Sequence, residues 1–182
     1  MPRTLILEIG SDEIPARYLP LAFEQLRDRS EAAFREARLG FGSIAVLGTP
    51  RRLCLRVVDM AENGDDTSQK VRGPSKKAAY DQEGNPTKAL LGFARSIGVD
   101  PSAVTLESEK GGEYVYGTKF EKGRPAASIL EKVLPAVVMG MECPCPLRWG
   151  EQDWRWYRAI RWVVCLFGSD VVPVEIAGKT YD

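Results

Sequence analysis

The chain of 182 residues contains no histidine. That removes the imidazole general base, the Ser-His-Asp arrangement and His-ligated zinc from its chemistry. Cysteine is sparse, at four residues. Cys143 and Cys145 are separated by a single proline, too tight for the Cys-x-x-Cys of a zinc ribbon or a thioredoxin-like site. Reduced thiols and no bound metal are the expectation. Net charge is lacking too, since 25 Lys and Arg balance 25 Asp and Glu. No global field draws nucleic acid toward such a chain, so any contact must come from a local patch. Apolar runs stay well short of the ~20 residues of a bilayer span. A soluble, cytoplasmic chain with no membrane partner is expected.

The remaining composition is that of a globular protein, 44% hydrophobic and 27% charged. A chain of this length hides roughly two-thirds of its unfolded surface, enough for one core or two small ones. Periodicity gives a buried strand over Thr4–Ile9 and a helix entered at Pro15 and Pro20 and running to about Arg38. In that helix Leu19, Phe23, Leu26, Ala33, Phe34 and Ala37 recur at three and four, and Gly40 and Gly42 stop it. Strands follow at Ser43–Leu47 and Leu53–Met60. Glu62–Ser68 reads as a polar connection, Arg72–Lys77 as a basic turn and Asp81–Pro86 as a loop. Thr87 is placed to cap a short helix through Ile97, with a hinge at Gly98–Ser102. Val104–Glu107 and Glu113–Phe120 form a hairpin across Lys110-Gly111-Gly112. A helix starts at Pro125 and runs to about Met139, ended or kinked by Pro135. Strands at Ile160–Phe167 and Val171–Ala177 close the chain. The fold class is α+β, with two sheet-plus-helix lobes over 1–98 and 99–182 and mixed or antiparallel sheets.

The densest chemistry lies between residues 145 and 162. All four tryptophans, Trp149, Trp154, Trp156 and Trp162, fall there, interleaved with Arg148, Arg155, Arg158 and Arg161. Tryptophan offers a flat face for a base, and arginine a planar fork that matches phosphate oxygens. Stacking plus backbone neutralisation is what irregular or single-stranded RNA asks of a protein. The same tryptophans, next to the apolar strand Ile160–Phe167, serve equally well as core. Thr49-Pro50-Arg51-Arg52-Leu53 sets two more arginines at the mouth of a strand, either as a phosphate clamp or as a solvated edge. Candidate nucleic-acid contacts are therefore Arg51, Arg52, Arg148, Trp149, Arg155, Arg158 and Arg161. Glu8, Asp12 and Glu13 gather at the end of the first strand. With no nucleophile or phosphate loop beside them, Asp12 and Glu13 read as complements to a helix N-terminus, and no catalytic residue is assigned.

Together these segments resemble the N-terminal part of the β subunit of bacterial glycyl-tRNA synthetase, the type built from two α and two β chains. The resemblance rests on Leu7-Glu8-Ile9-Gly10-Ser11-Asp12-Glu13-Ile14-Pro15, Thr49–Leu53, Arg72-Gly73-Pro74, Gly92-Phe93-Ala94-Arg95, Leu147-Arg148-Trp149-Gly150 and Ile160-Arg161-Trp162, in that order. One departure is Arg158-Ala159-Ile160-Arg161, where the family has proline in place of Ala159. The resemblance implies that the whole enzyme activates glycine with ATP and magnesium and transfers it to glycine tRNA. It implies an adenylate-forming site on the α subunit, with the β subunit supporting tRNA binding and assembly. The partners it implies are the α subunit, glycine tRNA and the remaining domains of a longer β chain. This chain is then expected to be a truncated piece, inactive alone and without a cofactor of its own.

Overall fold

The computed structural model describes residues 1–109, 112–148 and 153–182. It is an α+β protein made of two compact units, one discontinuous (1–65 with 124–182) and one inserted into it (66–123). The division expected at residue 98 falls inside the inserted unit. The reason is strand pairing: the first strand is bound on one side by a strand from the 50s and on the other by one from the 160s. Strands from the start of the chain and from beyond residue 160 therefore belong to one sheet.

That sheet has five strands in the order β10-β9-β1-β3-β2, with every neighbour antiparallel. The strands are β1 (Arg3–Ser11), β2 (Ser43–Thr49), β3 (Arg52–Met60), β9 (Ile160–Phe167) and β10 (Asp170–Val171). Alternation sends Leu5, Leu7, Ile9, Leu53, Leu55, Val57, Cys165 and Phe167 to one face, all at 3% exposure or less. They form a single core with α1 (Leu19–Glu36) and α4 (Ala126–Met139). On α1 the buried residues are Ala22, Leu26, Ser30 and Phe34, a stripe of four-residue spacing in which Ser30 replaces an apolar side chain. The expected Leu19, Phe23 and Ala33 are only half-buried at its margins.

Helix α1 is not stopped by glycine. Arg38 takes the left-handed conformation at φ 56°, and the Leu39 N–H closes the turn on the Phe34 carbonyl at 2.9 Å. Helix α4 passes through Pro135 and ends only at Met139. The one hydrogen bond that proline forfeits is outweighed by burial of Leu134, Val137 and Val138 around it. The expected strand Val171–Ala177 is broken at Pro173. Its second half, β11 (Val174–Ile176), forms a hairpin with β12 (Lys179–Tyr181) through Ala177 and Gly178, both at positive φ.

The inserted unit is a three-stranded antiparallel sheet, β4-β6-β5. Its strands are β4 (Thr67–Ser75), β5 (Thr105–Glu109) and β6 (Gly112–Glu121), with α2 (Lys76–Ala79) and α3 (Lys88–Ile97) beside them. Thr67–Ser68 at the end of the expected polar connection and Arg72–Ser75 of the expected basic turn are in fact strand β4, while Lys76 and Lys77 begin α2. Strand β4 is an edge strand, so its polar residues need bury only one side, and Pro74 sits where the register with β6 shifts. Ala79, Leu90 and Val115 form a small core, flanked by Phe93. Gly73 is required there, because a Cβ would stand 2.7 Å from the Phe93 ring. Thr87 does not cap α3; its hydroxyl donates to the Ala78 and Ala79 carbonyls instead. Gly98 ends α3 in the left-handed region, so Gly98–Ser102 is a helix terminus within the unit. Of the expected turn Lys110-Gly111-Gly112, the first two residues lie outside the described residues; the flanking strands pair as expected.

Candidate nucleic-acid interface

Three segments far apart in sequence meet at the C-terminal end of β1. The Ser11 N–H donates to the Arg51 carbonyl at 3.0 Å, Asp12 to Ala159 at 2.9 Å and Ile14 to Pro50 at 2.7 Å. The backbone of β1 thus runs on between the entries to β3 and β9. Asp12, Arg51 and Arg161 are brought to one place by strand order alone.

The arginines there are answered by carboxylates. Arg161 forks onto Asp12, with Nε donating to Oδ1 at 2.7 Å and Nη2 to Oδ2 at 2.8 Å. That hydrogen-bonded guanidinium holds the Asp12 carboxyl below its ordinary range, and Asp12 holds the Arg161 pKa up in turn. Arg51 Nη2 donates to Glu13 at 3.2 Å. Arg52 Nε lies 3.3 Å from Glu8 Oε1, the same oxygen that accepts the Trp162 indole N–H at 2.9 Å. The Arg52 guanidinium also stands 5.8 Å from the Trp162 ring centroid. Asp12 and Glu13, expected to complement a helix N-terminus, are partners for these arginines instead, as is Glu8. The patch carries three positive and three negative charges.

Trp162 is 38% exposed, yet one indole face is occupied. It lies across Gly10, where a Cβ would meet Trp162 Cε2 at 2.0 Å. Only glycine in β1 allows this approach. Trp156 is 1% exposed and in the main core, edge-on to Tyr157 at 5.7 Å and stacked with Trp154 at 6.3 Å. Trp154 donates its indole N–H to the Met139 carbonyl at the end of α4 at 3.0 Å. Core packing is therefore the role of Trp156, and Trp154 is a bracket for α4. Trp149 lies outside the described residues.

Other arginines of the segment are disposed differently. The short hairpin of β7 (Leu147–Arg148) and β8 (Arg155–Trp156) sets Arg148 directly opposite Arg155. Arg148 is 3.4 Å from Asp153. Arg155 is exposed, and no carboxylate among the described residues forms an ion pair with it. Arg158 donates to two carbonyls, Tyr157 at 2.6 Å and Cys145 at 3.4 Å, which orient the guanidinium without cancelling its charge. The structure thus brings Arg51, Arg52 and Arg161 into one neutral cluster and Arg148 and Arg155 into another place.

Sequence reasoning missed a polar clamp beside this segment. Gln25 on α1 donates to the Glu142 carbonyl at 2.8 Å and accepts from the Glu142 N–H at 2.7 Å, and Tyr157 donates to the same carbonyl at 3.0 Å. Burial, with the nearby Cys143, pushes the Tyr157 pKa up to about 12. Burial alone raises the Cys165 thiol to about 12; it does the same for Cys143, where a backbone hydrogen bond opposes it. Neither is primed as a nucleophile. Exposed Cys145 is hydrogen-bonded with the Tyr18 hydroxyl at 3.2 Å. No helix among the described residues is long and apolar enough to cross a membrane.

Comparison with known proteins follows this pattern of convergent segments. A family profile described as glycyl-tRNA synthetase beta subunit matches residues 5–182. The glycine–tRNA ligase beta subunit of Moorella thermoacetica is 47% identical over 180 residues, covering 99% of this chain and 26% of that protein. Those of Desulforamulus reducens and Desulforudis audaxviator are 45% and 46% identical, covering 97% and 98% of this chain and 26% of each relative. The chain thus spans about a quarter of the length of the relatives it matches. Strand order gathers the Glu8–Pro15, Thr49–Leu53 and Ile160–Trp162 segments around Gly10 and Asp12, and the chain belongs to the glycyl-tRNA synthetase beta subunit family.

Proposed function

We propose that this region serves a cytoplasmic glycine–tRNA ligase as the N-terminal, non-catalytic part of its β subunit. It supports subunit assembly and tRNA binding, while ATP and magnesium act with glycine on the α subunit. The observation that carries this is the engagement of Glu8, Asp12 and Glu13 by Arg52, Arg161 and Arg51. Carboxylates already bound by guanidinium groups hold strands in register and are poor candidates for general bases or magnesium ligands. With three cations matched by three anions, this cluster offers RNA phosphates little net attraction.

Contact with tRNA falls instead to Arg155 and Arg158, beside Arg148. Arg155 is exposed and Arg158 is held by carbonyls only. The partners in this reading are the α subunit, glycine tRNA and the remaining domains of the β chain. The purely structural alternative is favoured by one observation, the burial of Trp156 where a base platform would need an open ring. Glycine-dependent ATP–pyrophosphate exchange separates this region from a catalytic one. The purified chain should give none, and exchange that tracks with it through purification overturns the assignment.

A further inference from the structure

The five-stranded sheet buries one face and leaves the other bare. Register places three rows of side chains across that outer face. One runs Ala45, Arg56, Ile6, Leu166, Val171; the next runs Leu47, Cys54, Glu8, Val164; the third ends at Gly10 and Trp162. The β1, β9 and β10 side of the face is apolar. Val164 is 42% exposed, Val171 58% and Trp162 38%, with Ile6 and Leu166 half-buried between them. Of its charged groups, Glu8 and Arg52 already hold each other, and exposed Arg56, opposite Ile6 on β3, stands at the margin of the apolar area. Antiparallel sheets commonly leave one face to water, but that face is then polar; exposed apolar side chains clustered on it mark a contact surface.

We propose that the outer face of this sheet is the seat of another part of the same β polypeptide, packed as a permanent contact on Ile6, Val164, Leu166, Val171 and Trp162. The relatives place only 26% of their length in the matched region, so most of their polypeptide lies elsewhere and must find surfaces to pack on. Permanent contacts are more apolar than those between separable partners, and this patch has that character. A tethered segment also reaches the face at an effective concentration that a separate subunit does not match. RNA is disfavoured as occupant because Val164, Leu166 and Val171, on the side away from Arg56, offer its phosphates no charge. This inference rests on the reading of the chain as a non-catalytic assembly element.

Cys54 lies within the rows and reports directly on whether the face is covered, because its half-buried thiol faces outward between Leu47 and Glu8. Alkylation of Cys54 is followed by peptide mass spectrometry in the 182-residue chain, in the full-length β subunit alone and in the assembly with α. Rates are normalised to the unfolded chain. In the full-length β subunit alone Cys54 should react at least about tenfold more slowly than in the 182-residue chain, with no further change when α is added. Val164→Lys should restore fast alkylation in the full-length subunit and leave the melting midpoint of the 182-residue chain in place. Equal rates in the chain and the full-length subunit overturn the proposal, and so does slowing that appears only with α. The pyrophosphate exchange assay does not depend on either result, so the two readings fail separately.

Discussion

Asp12 accepts both hydrogen bonds of the Arg161 fork, at 2.7 and 2.8 Å, across 149 positions of sequence. The pair bridges the end of β1 to the start of β9. The Asp12 N–H binds the Ala159 carbonyl at 2.9 Å beside it, so side chain and backbone join the same two strands. A bidentate pair specifies geometry as well as charge, which lysine does not reproduce.

This bridge should behave as a unit. Asp12→Ala and Arg161→Ala should each lower the denaturant midpoint of the chain, and the double variant should lose less than the sum of the two. Arg161→Lys should recover only part of the loss. Strict additivity would show that the two side chains act separately.

Gly10→Ala tests the seat of Trp162. The added Cβ would overlap the indole, so the ring must leave β1 or the strands must part, at about 1–3 kcal/mol by analogy with overpacked cores. Chemical unfolding should show the loss. Tryptophan fluorescence should shift to the red as Trp162 is released, and a variant with unchanged stability and emission contradicts the close approach.

The dependence of stability on pH follows from the shifted groups. Hydrogen bonds hold Asp12, Asp81, Asp100 and Asp170 below their ordinary 3.8 in the folded chain. Their contribution is present above that value and is lost as pH falls through the folded pKa. Cys143 and Cys165 move the other way, from 9.0 to about 12. The unfolded chain releases those protons first, so stability declines as pH rises from about 9 toward 12. With no histidine in the chain, thermal midpoints should be nearly flat between about pH 5 and 8. A step near pH 6.5 would contradict this.

Arg38 offers a stabilising change. It occupies a left-handed position at φ 56° that glycine adopts freely. Arg38→Gly should raise stability by about 0.5–1 kcal/mol, read from the urea midpoint. A drop would mean that the Arg38 side chain contributes more than its backbone costs.

Much of the fold was legible because burial follows period. Leu5, Leu7 and Ile9 alternate with half-buried neighbours, and α4 shows its apolar face at three and four. Strand β4 was not legible: Thr67–Ser75 is polar, glycine- and proline-bearing, and is held as a strand mainly by pairing with β6. The discontinuous unit was equally hidden, since nothing local in β1 announces a partner beyond residue 160. At the site, the arginines were visible but their carboxylate partners were misassigned. Asp12 and Glu13 read as neighbours of the helix that follows them in sequence, whereas the fold delivers them to Arg161 and Arg51. Burial of Trp156 is one of two open readings of the sequence, and only its packing against Trp154 and Tyr157 in the core decides it.

The salt dependence of tRNA affinity in the complete α and β assembly bears most directly on the proposed division between structural and RNA-facing arginines. Removing one arginine from a phosphate flattens the slope of log affinity against log salt by about one unit. Arg155→Ala should flatten it by about that amount and leave the melting midpoint of the chain unchanged. Arg161→Ala should leave the slope as it was and lower the midpoint. A slope that flattens with Arg161→Ala, or that ignores Arg155→Ala, contradicts the assignment.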